Sequence, residues 1–292
     1  MVSDVSVVIV NWNGARYLQA CLGSIYGSTE TVVVDNGSTD GSSALVRKLF
    51  PEVTFVENRR NVGFSAANNV GSRYCHGRYI LFLNNDTVVM ESTVSRMRRC
   101  FEDDARIAIV GARLERPDGR VQSASARPWI SFSREARRIL TVHNKQAVYG
   151  AGVDYDVSQY TWSVCGAGMM VRRGVLEELG GWPEEYFAYA EDVELCRKAI
   201  ERGYGIWYES QARILHFRGG SGRGQGLLKA IRAHLISHRS VNRYIRKHEG
   251  VSRAVLHAML YPVDVLLRVI RSISEKSRKA VGFLYRRAGS AT

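Results

Sequence analysis

Short apolar runs alternate with amphipathic stretches along the first third of this chain. Val5 to Val10, Thr31 to Val34, Val53 to Glu57 and Tyr79 to Leu83 read as strands, rich in β-branched and aromatic residues. Between them, Ala15 to Tyr26, Ser42 to Phe50 and Ser65 to Cys75 read as helices; the first places Tyr17, Leu18, Cys21, Leu22 and Ile25 on one face. This order predicts an α/β fold, a mostly parallel sheet with helices on both faces. Such sheets bind ligands outside the carboxyl ends of their strands. Asp35 and Asp86 both fall at those ends.

The pattern then loosens. Glu91 to Phe101 reads as a helix and Ile107 to Val110 as a strand, whereas residues 113 to 160 give no clear period. Trp162 to Val171 reads as one strand rich in small residues, and Gly205 to Tyr208 and Arg213 to His216 as two short ones. The glycine-rich run from Arg218 to Gly224 is a loop and a candidate boundary. Beyond it the pattern is helical, with Pro262 expected to interrupt the second helix. The expected organisation is a catalytic domain over residues 1–225, with halves of about 1–110 and 111–225, and a basic amphipathic helical extension over 226–292.

Charge follows the same division. Of a net +13, the chain from Leu227 onward holds +11, fourteen basic residues against three acidic ones. The 45% apolar share is ordinary for a globular core. Five cysteines without a C-x-x-C pair argue against a disulfide framework or a zinc site and for a reducing compartment. The N-terminus shows no signal-peptide layout, so the expected location is cytoplasmic.

Several polar groups carry chemistry. Glu191 and Asp192 open a helix after the turn Gly180-Gly181-Trp182-Pro183, a position where carboxylates also serve as caps. Asp35-Asn36-Gly37-Ser38 and Asn84-Asn85-Asp86 are compositions that ordinary turns also use. His216 ends a strand before the glycine-rich loop; neutral imidazole is a competent metal ligand. Gly166-Ala167-Gly168 suits either close approach of a ligand or tight strand–helix packing. Trp182, Tyr186, Phe187 and Tyr189 suit either sugar stacking or the core.

Seven motifs in order resemble glycosyltransferase family 2, inverting enzymes of the GT-A fold, and within it the bacterial rhamnosyltransferase-like branch. They are Val7-Val8-Ile9-Val10-Asn11-Trp12-Asn13, Asp35 to Ser42, Asn61-Val62-Gly63-Phe64, Leu83-Asn84-Asn85-Asp86-Thr87, Gly166-Ala167-Gly168-Met169, Glu191-Asp192 and His216 to Ser221. The resemblance implies that Asp35 accepts the N3–H of uracil or thymine, with Asn11 and Asn13 lining the same pocket. Asn61, Asn84, Asn85, Gly166, Arg218 and Ser221 would contact the donor. Asp86 and His216 would hold Mg²⁺ or Mn²⁺, Asn84 standing where the family often has a first Asp. Asp192 would be the base, with Glu191 in reserve, as a cap or orienting donor hydroxyls. Glu194 would be a helix-face residue in support.

The implied reaction is metal-dependent, inverting transfer of a sugar from a nucleoside diphosphate, dTDP-L-rhamnose first and UDP-hexose or UDP-N-acetylhexosamine second, to a lipid-linked glycan of a cell wall or surface polysaccharide. A nucleotidyltransferase of similar fold and a non-catalytic membrane-associated protein are the rivals. The first lacks its glycine-rich basic loop here; the second has no use for the three acids. For the tail, three readings compete: an amphipathic segment on an anionic membrane at the inner face of the plasma membrane, a nucleic-acid-binding segment, and a packing or homodimer helix. No nucleic-acid motif accompanies the basic charge, so nucleic acid is not an expected partner. Val255 to Ile273 is too interrupted to span a bilayer.

Overall fold

The computed structural model describes residues 4–140, 152–217 and 227–267. Arg218, Ser221, Arg223 and the glycine-rich loop lie outside the described residues, as does the tail beyond Leu267.

The central sheet runs β3 (Thr54–Glu57), β2 (Glu30–Asp35), β1 (Val5–Asn11), β4 (Tyr79–Asn84), β10 (Gly168–Arg172), β6 (Ile107–Glu115), β11 (Gly205–His216), β5 (Thr87–Val89). The first four are parallel, β10 lies antiparallel between β4 and β6, and β6 and β11 are parallel. Short strands β5 and β8 (Gln159–Tyr160) pair antiparallel with β11. Outside this sheet, β7 (Ala126–Arg127) pairs with β9 (Ser163–Val164).

Strand alternation builds two cores. Val5, Val7 and Ile9 of β1, with Tyr79, Leu81 and Leu83 of β4, face one side. Val8, Ile80 and Phe82 face the other. Helices α1 (Ala15–Gly23), α2 (Ser42–Leu49) and α4 (Thr93–Asp103) cover the first side, through residues such as Leu18, Val46 and Met97. Helices α3 (Phe64–Ser72), α6 (Arg173–Glu178) and α7 (Glu191–Glu201) cover the second, through Ala67, Leu176 and Leu195. Burial on both faces explains why these strands read as continuous apolar runs.

Two expectations are corrected. The single strand expected over 162–171 is β9 and β10, split by a turn in which Gly168 N–H donates to Cys165 O. A continuous strand would remove the turn that brings Gly166 to the head of α7. The two pieces expected over 205–216 are one strand with a register shift between Glu209 and Arg213. There the Ser210 N–H donates to Ser158 Oγ, which takes over a bond the ladder has lost.

The chain returns through α5 (Phe132–Leu140), α8 (Leu227–Glu249) and α9 (Val251–Met259). Helix α9 ends before Pro262, and 261–267 is helical again, so the proline interrupts the helix as its missing N–H requires. Tyr244 and Ile245 of α8 are fully buried, and Tyr244 packs with Tyr186, Ala190 and Val193. Lys247 Nζ and His248 Nε2 lie 2.6 and 2.7 Å from the two oxygens of Glu194. Glu194, expected as a supporting helix-face residue, is a buried anchor for α8.

Between α5, α8 and the α9 segment the His238 and His257 rings stack, their centroids 4.3 Å apart. Tyr261 packs on His238, and Asn242 Nδ2 is 3.2 Å from His257 Nδ1. Arg138 bridges Glu135 and Asp264, and His234 is 3.3 Å from Asp264. Burial, then the neighbouring imidazole His257, pushes His238 down to about 4, and burial also lowers His257. The fold thus favours neutral imidazoles. Their contribution is whole above the unfolded value near 6.5 and is lost as pH falls from there toward 4. We expect acidification to about pH 5 to cost up to ~2 kcal/mol through His238. Thermal melts of the protein and of His238→Asn check this: the wild type should lose more stability on acidification, and equal losses would contradict it.

Candidate active site

A cavity of about 380 Å³ opens at the carboxyl ends of β1 and β4. Val10, Trp12 and Asn36 line one end, with Asn84, Asn85, Asp86 and His216 beside them. Gly166, Glu191 and Asp192 line its middle. Lining residues therefore come from parts of the chain 200 positions apart, as expected of a site at the strand ends.

Asp86 and His216 are placed by strand pairing. The β5–β11 ladder sets His216 opposite Thr87, Phe217 N–H donates to Asp86 O, and Gln122 Nε2 donates to His216 O. Asp86 Oδ1 lies 3.3 Å from His216 Nε2, and Asn84 Nδ2 lies 3.4 Å from the same nitrogen. His216 Nδ1 is buried without a hydrogen bond among the described residues. No group of three or more His, Cys, Asp or Glu able to hold a metal occurs among the described residues. The pair offers a cation one oxygen and one nitrogen donor. That fits a hard divalent ion whose remaining positions go to phosphate and water. Asn84 at the position of a second carboxylate keeps the protein's own share small.

The acidic pair stands at the head of α7, after two consecutive left-handed residues, Tyr189 (φ 70°) and Ala190 (φ 69°). Such backbone in non-glycine residues costs free energy and collects at functional sites. A neighbouring loop clamps it: Phe64 N–H donates to Phe187 O at 2.8 Å. At Gly63 (φ 94°), any Cβ would meet Phe187 O at 2.6 Å. This explains Asn61-Val62-Gly63-Phe64 as a motif, with Asn61 Oδ1 accepting the Gly63 N–H.

The two carboxylates differ sharply. Asp192 Oδ1 accepts from Arg127 Nη2 at 2.7 Å and from Val193 N–H at 2.8 Å. Its Oδ2 accepts from Gly166 N–H at 3.3 Å. Glu191 Oε2 is buried without a hydrogen bond among the described residues. Burial, and then the charge of Asp192, pushes Glu191 up to about 8. Both causes favour the protonated form of Glu191.

The nucleotide-side residues form a layered network. Asn11, fully buried, donates through Nδ2 to Asp35 Oδ1 at 2.7 Å, and its Oδ1 accepts from Asn85 Nδ2 at 2.8 Å. Ser38 N–H donates to Asp35 Oδ2. Asn13 Oδ1 accepts from Thr39 N–H, tying the β1 and β2 loops together. Gly14 leaves room for this: a Cβ there would lie 1.9 Å from Asn85 Nδ2. Asn11, Asn13 and Asp35 do not line the cavity; Trp12 and Asn36 do. Asn61, Asn84, Asn85, Asp86, Gly166, Glu191, Asp192 and His216 all do. Trp182 and Tyr186 are core, 1% exposed, while Phe187 and Tyr189 line the cavity.

Arg127 was not legible in the sequence. It lies in the stretch without a period, and only the β7–β9 pairing, with Ser163 Oγ donating to Arg127 O, brings it to Asp192. The other unforeseen wall is α8, through Ala233, Ile236, Ser237 and Val241.

The model of glycosyl transferase family 2 matches residues 6–180. The chain belongs to that family. Its branch resemblance is carried by a Mycobacterium tuberculosis N-acetylglucosaminyl-diphospho-decaprenol L-rhamnosyltransferase, 24% identical over 96% of this chain and 97% of its own length. A Haloferax volcanii low-salt glycan biosynthesis hexosyltransferase is 26% identical over 70% of this chain, which spans 64% of that relative's length. A Pyrobaculum calidifontis mannosyltransferase solved with GDP-mannose and Mn²⁺ aligns over 93% of this chain and 80% of its own, with TM-score 0.55 at 20% identity. This family 2 protein thus has the GT-A fold.

Proposed function

We propose that the protein is a metal-dependent inverting glycosyltransferase that moves L-rhamnose from dTDP-rhamnose to a hydroxyl of a lipid-linked glycan. The observation that carries the reading is one cavity that joins the Asp86–His216 pair to the acidic pair. The mycobacterial relative's name supplies the rhamnose and the lipid-linked acceptor. A UDP-sugar donor is the second reading.

Asp86 and His216 would hold the cation, and Asn84 would hydrogen-bond the diphosphate. When bound, the cation stabilises negative charge on the departing diphosphate. Trp12, 40% exposed, offers a face for the base. Asp35 stands one layer behind it; its contact with the base's N3–H rests on the family resemblance. Asp192 takes the acceptor hydroxyl's proton as the oxygen bonds to the anomeric carbon. The bond from that carbon to the phosphate oxygen breaks, and its electrons leave with the nucleoside diphosphate. Arg127 and the Gly166 N–H fix the rotamer of Asp192, which is the orientation that proton transfer needs. Protonated Glu191 lowers the negative charge that the incoming diphosphate meets.

Calorimetry of dTDP, UDP and GDP with and without Mn²⁺ tests the donor reading. Manganese-dependent binding that favours dTDP is expected. Preference for UDP would move the donor to a UDP-hexose, and no binding would refute the proposal.

The tail supports a membrane partner. Val251, Val255, Leu256 and Met259 of α9 and Leu266 are 46–67% exposed, beside Arg253. Seven basic residues and one acidic follow Leu267. No helix among the described residues is long and apolar enough to cross a membrane. An anionic bilayer surface suits such a segment, at roughly 1 kcal/mol per basic residue near it. We expect the full chain to sediment with phosphatidylglycerol vesicles at low salt. Leu256→Asp/Met259→Asp, which leaves the packed face of α8 intact, should stay in the supernatant; sedimentation of both alike would refute this partner.

A further inference from the structure

The cavity has a third wall that the family match, ending at residue 180, does not reach. Ala233, Ile236, Ser237 and Val241 of α8 line it, and Ile130 lines the same cavity. Their spacing of three to four residues puts them on one helix face. The same face continues to Tyr244 and His248, where it is buried against Tyr186 and Val193 and held by Glu194. Ser240 Oγ also donates to Ala188 O, in the loop that leads to the acidic pair. Helix α8 is thus fastened at its C-terminal half, and the half before it overhangs the cavity.

The chemistry of this wall differs from the rest. The Asp86–His216 end offers amides, a carboxylate and an imidazole, suited to a charged diphosphate. The four α8 residues in the lining offer aliphatic carbon and one hydroxyl; the charged Glu135 of α5, also in the lining, is paired with Arg138. A diphosphate gains nothing there, whereas the C–H face of a pyranose does.

We propose that α8 forms the acceptor subsite, which takes a neutral pyranoside with its apolar ring face against Ile236 and Val241 and its reacting hydroxyl toward Asp192. This rests on the glycosyltransferase reading and names the class of its second substrate. The segment after residue 180 is then part of the active site and sets acceptor choice.

The test is saturation-transfer NMR on the full chain with dTDP, Mn²⁺ and octyl N-acetyl-β-D-glucosaminide as the acceptor probe. The wild type should give signal transfer to the sugar ring protons. Ile236→Trp, which projects into open cavity, should weaken probe binding about ten-fold or more while dTDP affinity is unchanged. Val241→Ala, a smaller change that creates no overpacking, should weaken it less and keeps the test valid if the tryptophan disturbs folding. Equal probe binding in wild type and both variants overturns the subsite. So does an equal loss of dTDP and probe, or transfer confined to the octyl chain. Wild type that binds dTDP but not the probe also overturns it and leaves the donor reading standing; failure to bind dTDP brings down that reading as well.

Discussion

Asp192→Asn is expected to lower turnover by about 10²–10⁴-fold while donor binding stays within a factor of about two. Asparagine keeps the shape, but its single side-chain oxygen can accept from only one of the Val193 and Gly166 N–H groups, which reach different oxygens of Asp192, and it cannot take a proton. The buried neighbours decide how the result is read. Arg127 loses its anionic partner at 2.7 Å, and breaking a partly buried pair costs stability. A melting curve and a dTDP titration must therefore accompany the rate. Glu191→Gln is the control that separates the two carboxylates. In the wild type, raising pH through about 8 ionises Glu191 next to Asp192 and sets a second charge against the diphosphate. Activity should fall on that limb. Glutamine resembles the protonated acid, so the variant should keep its rate at neutral pH and lose the alkaline fall. If Glu191→Gln loses turnover and Asp192→Asn keeps it, the roles are reversed.

The second large effect concerns the cation. Asp86→Asn removes the one carboxylate of the proposed two-residue cation site and should cost about 100-fold in Mn²⁺-dependent donor affinity. Binding measured without metal should change little. His216→Gln removes a neutral donor and should cost less. Titrations of dTDP with and without Mn²⁺ check both, since coupling is the difference between the two affinities. Wild-type affinity that ignores Mn²⁺ would contradict the assignment of Asp86 and His216.

Much of the fold was readable because both faces of the sheet are buried. Val5 to Val10, apart from the hydrogen-bonded Ser6, and Tyr79 to Leu83 are apolar because both faces are buried, and helices with one apolar stripe follow β1, β2 and β3. The motifs at strand ends were readable for a similar reason: turns that hold polar side chains use few residue types. The reading was weaker where long-range contacts decide. Nothing local marks Arg127, whose importance comes from a partner 65 positions away. From sequence, Glu194 had only a supporting place on its helix face, because its partners, Lys247 and His248, lie in a segment that reads as a separate basic tail. Likewise, Trp182 and Tyr186 could not be told from ligand-stacking aromatics until their burial among Phe64, Phe82 and Val193 was known. Spacing within one element shows a face; it does not show what covers that face.

In the proposed reaction, Asp192 and the Asp86–His216 pair act together on one sugar transfer in one cavity. The most direct measurement is mass spectrometry of N-acetylglucosaminyl diphosphate on a short synthetic lipid after incubation with dTDP-rhamnose and Mn²⁺. The expected product is heavier by one deoxyhexose, formed together with dTDP, absent when the metal is chelated and strongly reduced in Asp192→Asn. Product that persists at the wild-type rate in Asp192→Asn, or without metal, would contradict the proposed reaction.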